Sequence, residues 1–277
     1  HMLAQEMRDG GYQTAVVGKM HVHPPRLGCG FEYMRLHDGY IGHCRKANLP
    51  YWMHQNVSDD YMRFLKDELG EFADVNGTGV ENNSWISTPW SYEERLHPTN
   101  WVVDESIRFL ETRDRTRPFF LMTSFVRPHP PFDAPQTYFD LYRDMELRAP
   151  AVGDWDDAGA TERDGMILDS VHGCRDAELR REPWRAITPA SRIWTTRSAA
   201  SSPRWRTMRP TTTPWSCSAP IMARCCSTTA CSARFYPMRA PRASPSSSMW
   251  AKRRAAPGER VCGVSESAVE LMDLMPT

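Results

Sequence analysis

Between Glu182 and Glu259 the chain contains no aspartate or glutamate, although acids are plentiful on both sides. The stretch runs from Pro183-Trp184-Arg185 to Ala256-Pro257-Gly258 in Arg, Ser, Thr, Pro, Ala, Cys and Trp, with no sustained helical or strand period. A segment with neither period has no face selected for burial, so residues 183–258 are predicted to be irregular and unable to complete a sheet. The formal net charge of +0 and the 40% hydrophobic content over 277 residues look ordinarily globular only because two unlike parts are averaged. The first part carries most of the acids and the later part is purely cationic, which leaves an anionic partner such as nucleic acid open on charge alone.

No apolar run is long enough to span a bilayer. The amino terminus has no signal-peptide pattern, which favours the cytoplasm. His1-Met2 opens directly into Leu3-Ala4-Gln5-Glu6-Met7, a sequence that reads as the inside of a domain with further chain expected upstream. Of the eight cysteines, four lie in the acid-free segment, and the others show neither C-x-x-C pairing nor a dense disulfide pattern.

Outside that segment the periodicity is informative. Leu3 and Met7 are one helical step apart and Gly10-Gly11 supplies a left-handed stop, so a helix ends there and a strand is predicted over Tyr12 to Val17. Tyr61, Phe64, Leu65 and Leu69 give an amphipathic helix, and Asn76-Gly77 a turn. A stronger helix is predicted from about Asn100 to Thr112, with Val103, Ile107 and Leu110 on one face and Pro98-Thr99 leading in. The continuous apolar run Phe119 to Val126 reads as a buried strand. Its exit, Arg127-Pro128-His129-Pro130-Pro131, reads as an extended loop around a single histidine.

Helix, strand, polar loop, helix, strand, polar loop is the order of an α/β layered domain. In such sheets the polar residues just past a strand's carboxyl end lie at the ligand crevice. The candidates there are Lys19, His21 and His23 after the first strand and His129 after the second. Read plainly, they are solvated loop cations and a structural histidine held by carbonyls. Read together, they form a cationic pocket for a tetrahedral oxyanion, since lysine and histidine donate hydrogen bonds to developing negative charge.

These loops resemble the sulfatase family of the alkaline-phosphatase superfamily. The likeness rests on Gly11-Tyr12-Gln13-Thr14 leading to Gly18-Lys19-Met20-His21, and on Phe119-Phe120-Leu121 leading to Phe125-Val126-Arg127-Pro128-His129-Pro130-Pro131. Leu36-His37-Asp38-Gly39-Tyr40 and Leu96-His97-Pro98-Thr99-Asn100-Trp101 are similar too. They look like an arylsulfatase or choline-sulfatase-like branch, over roughly the first 155 residues. The resemblance implies an α/β/α layered, alkaline-phosphatase-like domain that hydrolyses a small-molecule sulfate ester, with no nucleic-acid or membrane partner. It also implies a formylglycine, made from a Cys or Ser in a C/S-x-P-x-R motif, and a divalent cation, Ca²⁺ or Mg²⁺. By the same resemblance Lys19 contacts sulfate, His21 assists the formylglycine hydrate, and His129 holds the substrate or protonates the leaving oxygen. His23 has no counterpart. No C/S-x-P-x-R motif and none of the family's amino-terminal paired aspartates occurs among these residues. The expectation is therefore that this chain binds neither group and is inactive by itself.

The family pattern after the His-Pro-Pro loop should bring Ser-Asp-His-Gly, with a metal ligand, and then Phe-Arg-Lys, and neither is visible. A displaced reading frame accounts for both. Ile221-Met222-Ala223-Arg224-Cys225-Cys226 is permissibly encoded ATC ATG GCG AGA TGC TGT. Preceded by G and read one base earlier, it becomes Asp-His-Gly-Glu-Met-Leu. The same shift lets Ala230-Cys231-Ser232-Ala233-Arg234 conceal Gly-Leu-Phe-Arg-Lys. Residues 1–182 then form a partial catalytic domain, 183–258 an out-of-frame segment, and 259–277 the resumed domain. Ser267-Ala268-Val269-Glu270 opens a short helix there with a capping-box pattern. Two other readings stay open: a phosphoester or phosphonate hydrolase of the same superfamily, and a non-enzymatic basic protein that binds nucleic acid through residues 183–258.

Overall fold

The computed structural model describes residues 2–22, 24–37, 59–75, 87–127, 129, 132–142 and 144, with the backbone of 216–218 and 247–249. Helix α1 (Leu3–Asp9) ends at Gly10 and Gly11, and of these two it is Gly11 that takes the left-handed conformation, at φ 87. Strand β1 (Gln13–Gly18) follows one residue later than the sequence predicts, then β2 (Tyr33–Leu36). Helix α2 (Asp60–Leu69) begins at Asp59, whose carboxylate accepts the Met62 N–H at 2.9 Å, an N-cap that satisfies one of the free donors of the first turn. Helix α3 (Pro98–Thr112) begins two residues earlier than predicted, so the expected lead-in Pro98-Thr99 forms its first turn, with His97 as its N-cap. Strand β3 (Phe119–Ser124) and the short helix α4 (Gln136–Asp140) complete the series.

The three strands form one parallel sheet in the order β2-β1-β3. Being central, β1 is buried on both faces, which is why it reads as a continuous apolar run. Val17 packs with Tyr61, Met62 and Leu65 of α2 and Trp101 and Val102 of α3, and Ala15 with Phe109 and Leu110 of α3. Val16 points the other way, to Met20, Leu36, Phe31 and Met34. The loop that supplies Cys29 and Phe31 to that face also carries Gly30, which sits against the backbone of Ala4 and Gln5 in α1 at φ 98, where a side chain would clash. Helices α2 and α3 thus cover one face, and α1 with the 24–31 loop the other. The domain is α/β and layered, as predicted.

Two expectations need correction. Strand β3 is half-buried along its whole length rather than buried, and it stops at Ser124. It is the terminal strand of the described sheet, so only β1 flanks it there. The segment 183–258, predicted irregular, contains a short antiparallel ladder, β4 (Ser216–Ser218) with β5 (Ser247–Met249), Cys217 lying opposite Ser248. Backbone pairing over three residues needs no side-chain period, which is why the sequence gives no sign of it. The predicted turn at Asn76-Gly77 and the helix after Ser267 lie outside the described residues. No helix among the described residues is long and apolar enough to cross a membrane.

Candidate active site

The parallel register brings the carboxyl ends of all three strands to one edge. Gly18 is paired with Leu36 of β2 and Ser124 of β3. Beyond it the Lys19 N–H donates to the Ser124 carbonyl at 3.0 Å, and the His37 N–H donates to the Gly18 carbonyl at 3.0 Å. Lys19 and the chain leaving β3 are therefore neighbours, although more than a hundred residues separate them in sequence. Lys19 is half-buried. His21 is exposed at the tip of a three-residue turn closed by Val22 N–H to the Met20 carbonyl at 3.1 Å. His129 is half-buried on the loop after β3. The described start of that loop turns rather than extending as predicted: the His129 N–H donates back to the Val126 carbonyl at 3.0 Å. Proline fixes φ alone, so a Pro-rich sequence accommodates a turn as well as an extended strand. His23 lies outside the described residues.

Behind this edge is a buried polar layer: His37, His97 and Arg127 lie in segments that carry the family resemblance, but the sequence assigned no role to any of its residues. His37, directly after β2, is 1% exposed, and its Nδ1 lies 3.1 Å from the Asp59 carboxylate. Its ring rests on Tyr61 at 4.3 Å between centroids. Asp59 thus joins the sheet edge to the start of α2. His97 is fully buried, and its Nδ1 accepts the Thr99 N–H at 3.2 Å, which leaves the proton of the neutral ring on Nε2. Burial holds its pKa well below the ordinary 6.5, and the nearby Arg127 guanidinium and His37 imidazole push the same way, against a smaller opposing effect from the Asp133 backbone. Arg127 and Asp133, both buried, form a two-pronged ion pair through Nε and Nη2. The signals for these residues were faint ones: a histidine directly after an apolar strand, and an arginine and an aspartate on either side of a Pro-rich loop.

The buried carboxylates here are already engaged, Asp59 with His37 and the Met62 N–H, Asp133 with Arg127. No group of three or more His, Cys, Asp or Glu that would hold a metal ion occurs among the described residues. These residues do not fit a divalent cation. The register places Lys19, His21 and His129 on chain segments just past the strand ends, beside this buried and internally paired polar layer.

The chain is similar to known proteins over this part. The family model described as Sulfatase matches residues 1–158. An arylsulfatase of Clostridium perfringens is 46% identical over 171 residues, which is 62% of this chain and 36% of that protein. A choline-sulfatase of Rhizobium meliloti is 30% identical over 161 residues, 54% of this chain and 27% of that one. Both matches thus span roughly a third or less of the relative. Among solved structures, a phosphonate monoester hydrolase of Agrobacterium radiobacter aligns with a TM-score of 0.45 and 17% identity, covering 74% of this chain and 44% of that one.

Proposed function

The chain belongs to the sulfatase family, and on that footing we propose that its strand-end edge is the substrate-holding part of a sulfuric-ester hydrolase acting on small-molecule sulfate esters. The observation that carries this reading is the β1–β3 register, which ends both strands at Gly18 and Ser124 and ties Lys19 to the chain leading to His129. A sulfate ester carries a negative charge shared over three non-bridging oxygens, and further negative charge develops on the ester oxygen as its bond to sulfur breaks. An ammonium and imidazoles brought to one edge stabilise that charge, and an imidazolium also supplies the proton that the departing alcohol oxygen needs. In this proposal Lys19 holds the sulfate oxygens, His129 the ester oxygen, and exposed His21 faces the attacking group.

Family members use a formylglycine and a divalent cation. The 277 residues contain no C/S-x-P-x-R motif, so we expect these residues alone to bind sulfate without turning over its esters. We hold residues 183–258 to be read out of frame, with the family's metal-binding and sulfate-binding residues overwritten. The family match ends at residue 158, before that segment begins.

The test titrates inorganic sulfate into the full chain while the imidazole resonances of His21 and His129 are followed by NMR, and repeats it with Lys19→Ala and His129→Ala. Saturable shifts that both substitutions weaken by about tenfold support the reading, that being the effect of losing one charge-assisted hydrogen bond. No saturable shift, or one indifferent to both substitutions, rejects it. Detectable release of 4-nitrophenol from its sulfate ester by the chain would overturn the expectation of inactivity. Tighter binding of inorganic phosphate would favour a phosphoester hydrolase instead.

A further inference from the structure

An arginine two residues from a histidine at an oxyanion edge invites assignment as a second anion ligand, but the geometry of Arg127 argues for a different role. Its guanidinium is 1% exposed and presents Nε and Nη2 to the two oxygens of Asp133, itself 0% exposed. Arg127 and Asp133 stand on either side of His129, at the two ends of its loop. On the entering side the loop is tied to the sheet, because Ser124 accepts the Lys19 N–H. On the leaving side Phe132 pairs with Ser87, its carbonyl accepts the Thr88 N–H at 3.1 Å, and the Ala134 carbonyl accepts the Trp90 N–H at 2.9 Å. Both ends are thus anchored to different parts of the domain, and the ion pair bridges them directly.

We infer that Arg127 and Asp133 are positioning residues: their buried, two-pronged ion pair closes the neck of the Val126–Phe132 loop and fixes where His129 sits relative to Lys19. This deepens the sulfatase reading, on which it rests for what His129 does, though not for whether the loop is held. The fork geometry matters because two parallel N–H···O bonds fix orientation as well as distance, whereas a lysine ammonium fixes distance alone. The prolines at 128, 130 and 131 remove φ freedom within the loop, so closing its neck leaves His129 few conformations.

The experiment uses the full chain and three readouts: unfolding midpoint, amide hydrogen exchange at His129 and Lys19, and the inorganic-sulfate titration. The Arg127→Met, Asp133→Leu double variant replaces the pair by apolar residues, a change that leaves stability equal or raised in buried ion pairs. The expected result is an unchanged midpoint and an unchanged Lys19 amide, with His129 amide exchange faster by about tenfold or more as its bond to Val126 opens locally. Sulfate affinity should fall by a similar factor. A His129 amide as protected as in the parent, at unchanged midpoint, overturns the inference. If the double variant does not fold, Arg127→Lys carries the test, since it keeps the charge and removes the fork. Faster His129 exchange then supports the inference and parent-like exchange overturns it. If the parent binds no sulfate, the sulfatase reading fails while the exchange data still decide the role of the pair. If the parent binds sulfate through Lys19 and the double variant binds it equally with the His129 amide still protected, the reading stands and the inference fails.

Discussion

Replacing Gly18 by alanine should uncouple the site from the sheet, and the cost follows from the backbone. Gly18 has φ 98, where an L-residue other than glycine is strained by about 1–2 kcal/mol. A Cβ there would overlap the Ser124 carbonyl oxygen outright and lie 2.9 Å from its carbon and 3.1 Å from Val102 Cγ2. The obstacle is mainly backbone and cannot rotate away, so β1 and β3 must separate at this rung. The bond from the Lys19 N–H to Ser124 goes with it, at about 0.5–1.5 kcal/mol. The expected total is about 1.5–3.5 kcal/mol, read as a lowered midpoint in urea unfolding followed by far-UV circular dichroism. Gly11→Ala is the control, since Gly11 has a similar φ of 87 but nothing within 4 Å of the added carbon. It should cost the strain alone, about 1–2 kcal/mol. If Gly18→Ala costs no more than Gly11→Ala, the argument that the β1–β3 rung is sterically fixed at Gly18 is refuted. Sulfate affinity should also fall in Gly18→Ala and stay at the parent value in Gly11→Ala.

Asp59→Ala removes the cap of α2 and the carboxylate beside His37, and should lower stability by about 1–2 kcal/mol for the cap alone. Asp59→Asn keeps an accepting oxygen and should recover most of it in the same unfolding assay, and equal losses in the two variants would count against the cap. His97 gives a pH signature. Its folded pKa is depressed below 6.5, so only the unfolded chain takes up the proton as pH falls. Its stabilising contribution is complete above pH 6.5 and is lost below it with a slope of up to about 1.4 kcal/mol per pH unit. Unfolding midpoints between pH 7.5 and 5 should therefore fall less steeply in His97→Gln than in the parent, and parallel profiles would dismiss the assignment. Sequencing the encoding DNA tests the displaced frame. Read one base earlier, the codons of Ile221 to Cys226 should give Asp-His-Gly-Glu-Met-Leu, and any other reading removes the proposal for residues 183–258.

Much of the fold was legible because it is written at short range. The Leu3–Met7 step with Gly10-Gly11, the Val103–Ile107–Leu110 stripe after Pro98, and the apolar runs at Ala15–Val17 and Phe119–Phe125 each state an element within a few residues of themselves. The half-burial of β3 was not legible, since an apolar run is the same whether its strand ends up central or terminal in the sheet. Lys19, His21 and His129 stood out by residue type and by following strands. His37, His97 and Arg127 were visible only as members of family-like segments, and Asp59 and Asp133 not at all, because the meaning of all five lies in their partners: Asp59 caps a helix and faces a histidine 22 residues earlier.

By itself the sequence determined the family, the α/β alternation, the loops that carry the candidate chemistry, and the boundary at Glu182 past which the acids disappear. Each is a matter of local period, residue type or motif, which survives without knowledge of what packs against what. The tertiary structure alone decided that β1 lies between β2 and β3, that Lys19 therefore meets Ser124, and that the neck of the His129 loop is closed by a buried ion pair. Those outcomes depend on which distant segments share a hydrogen-bonding edge, and that choice is made by the packing of the whole sheet against its helices rather than by any residue's neighbours in the chain.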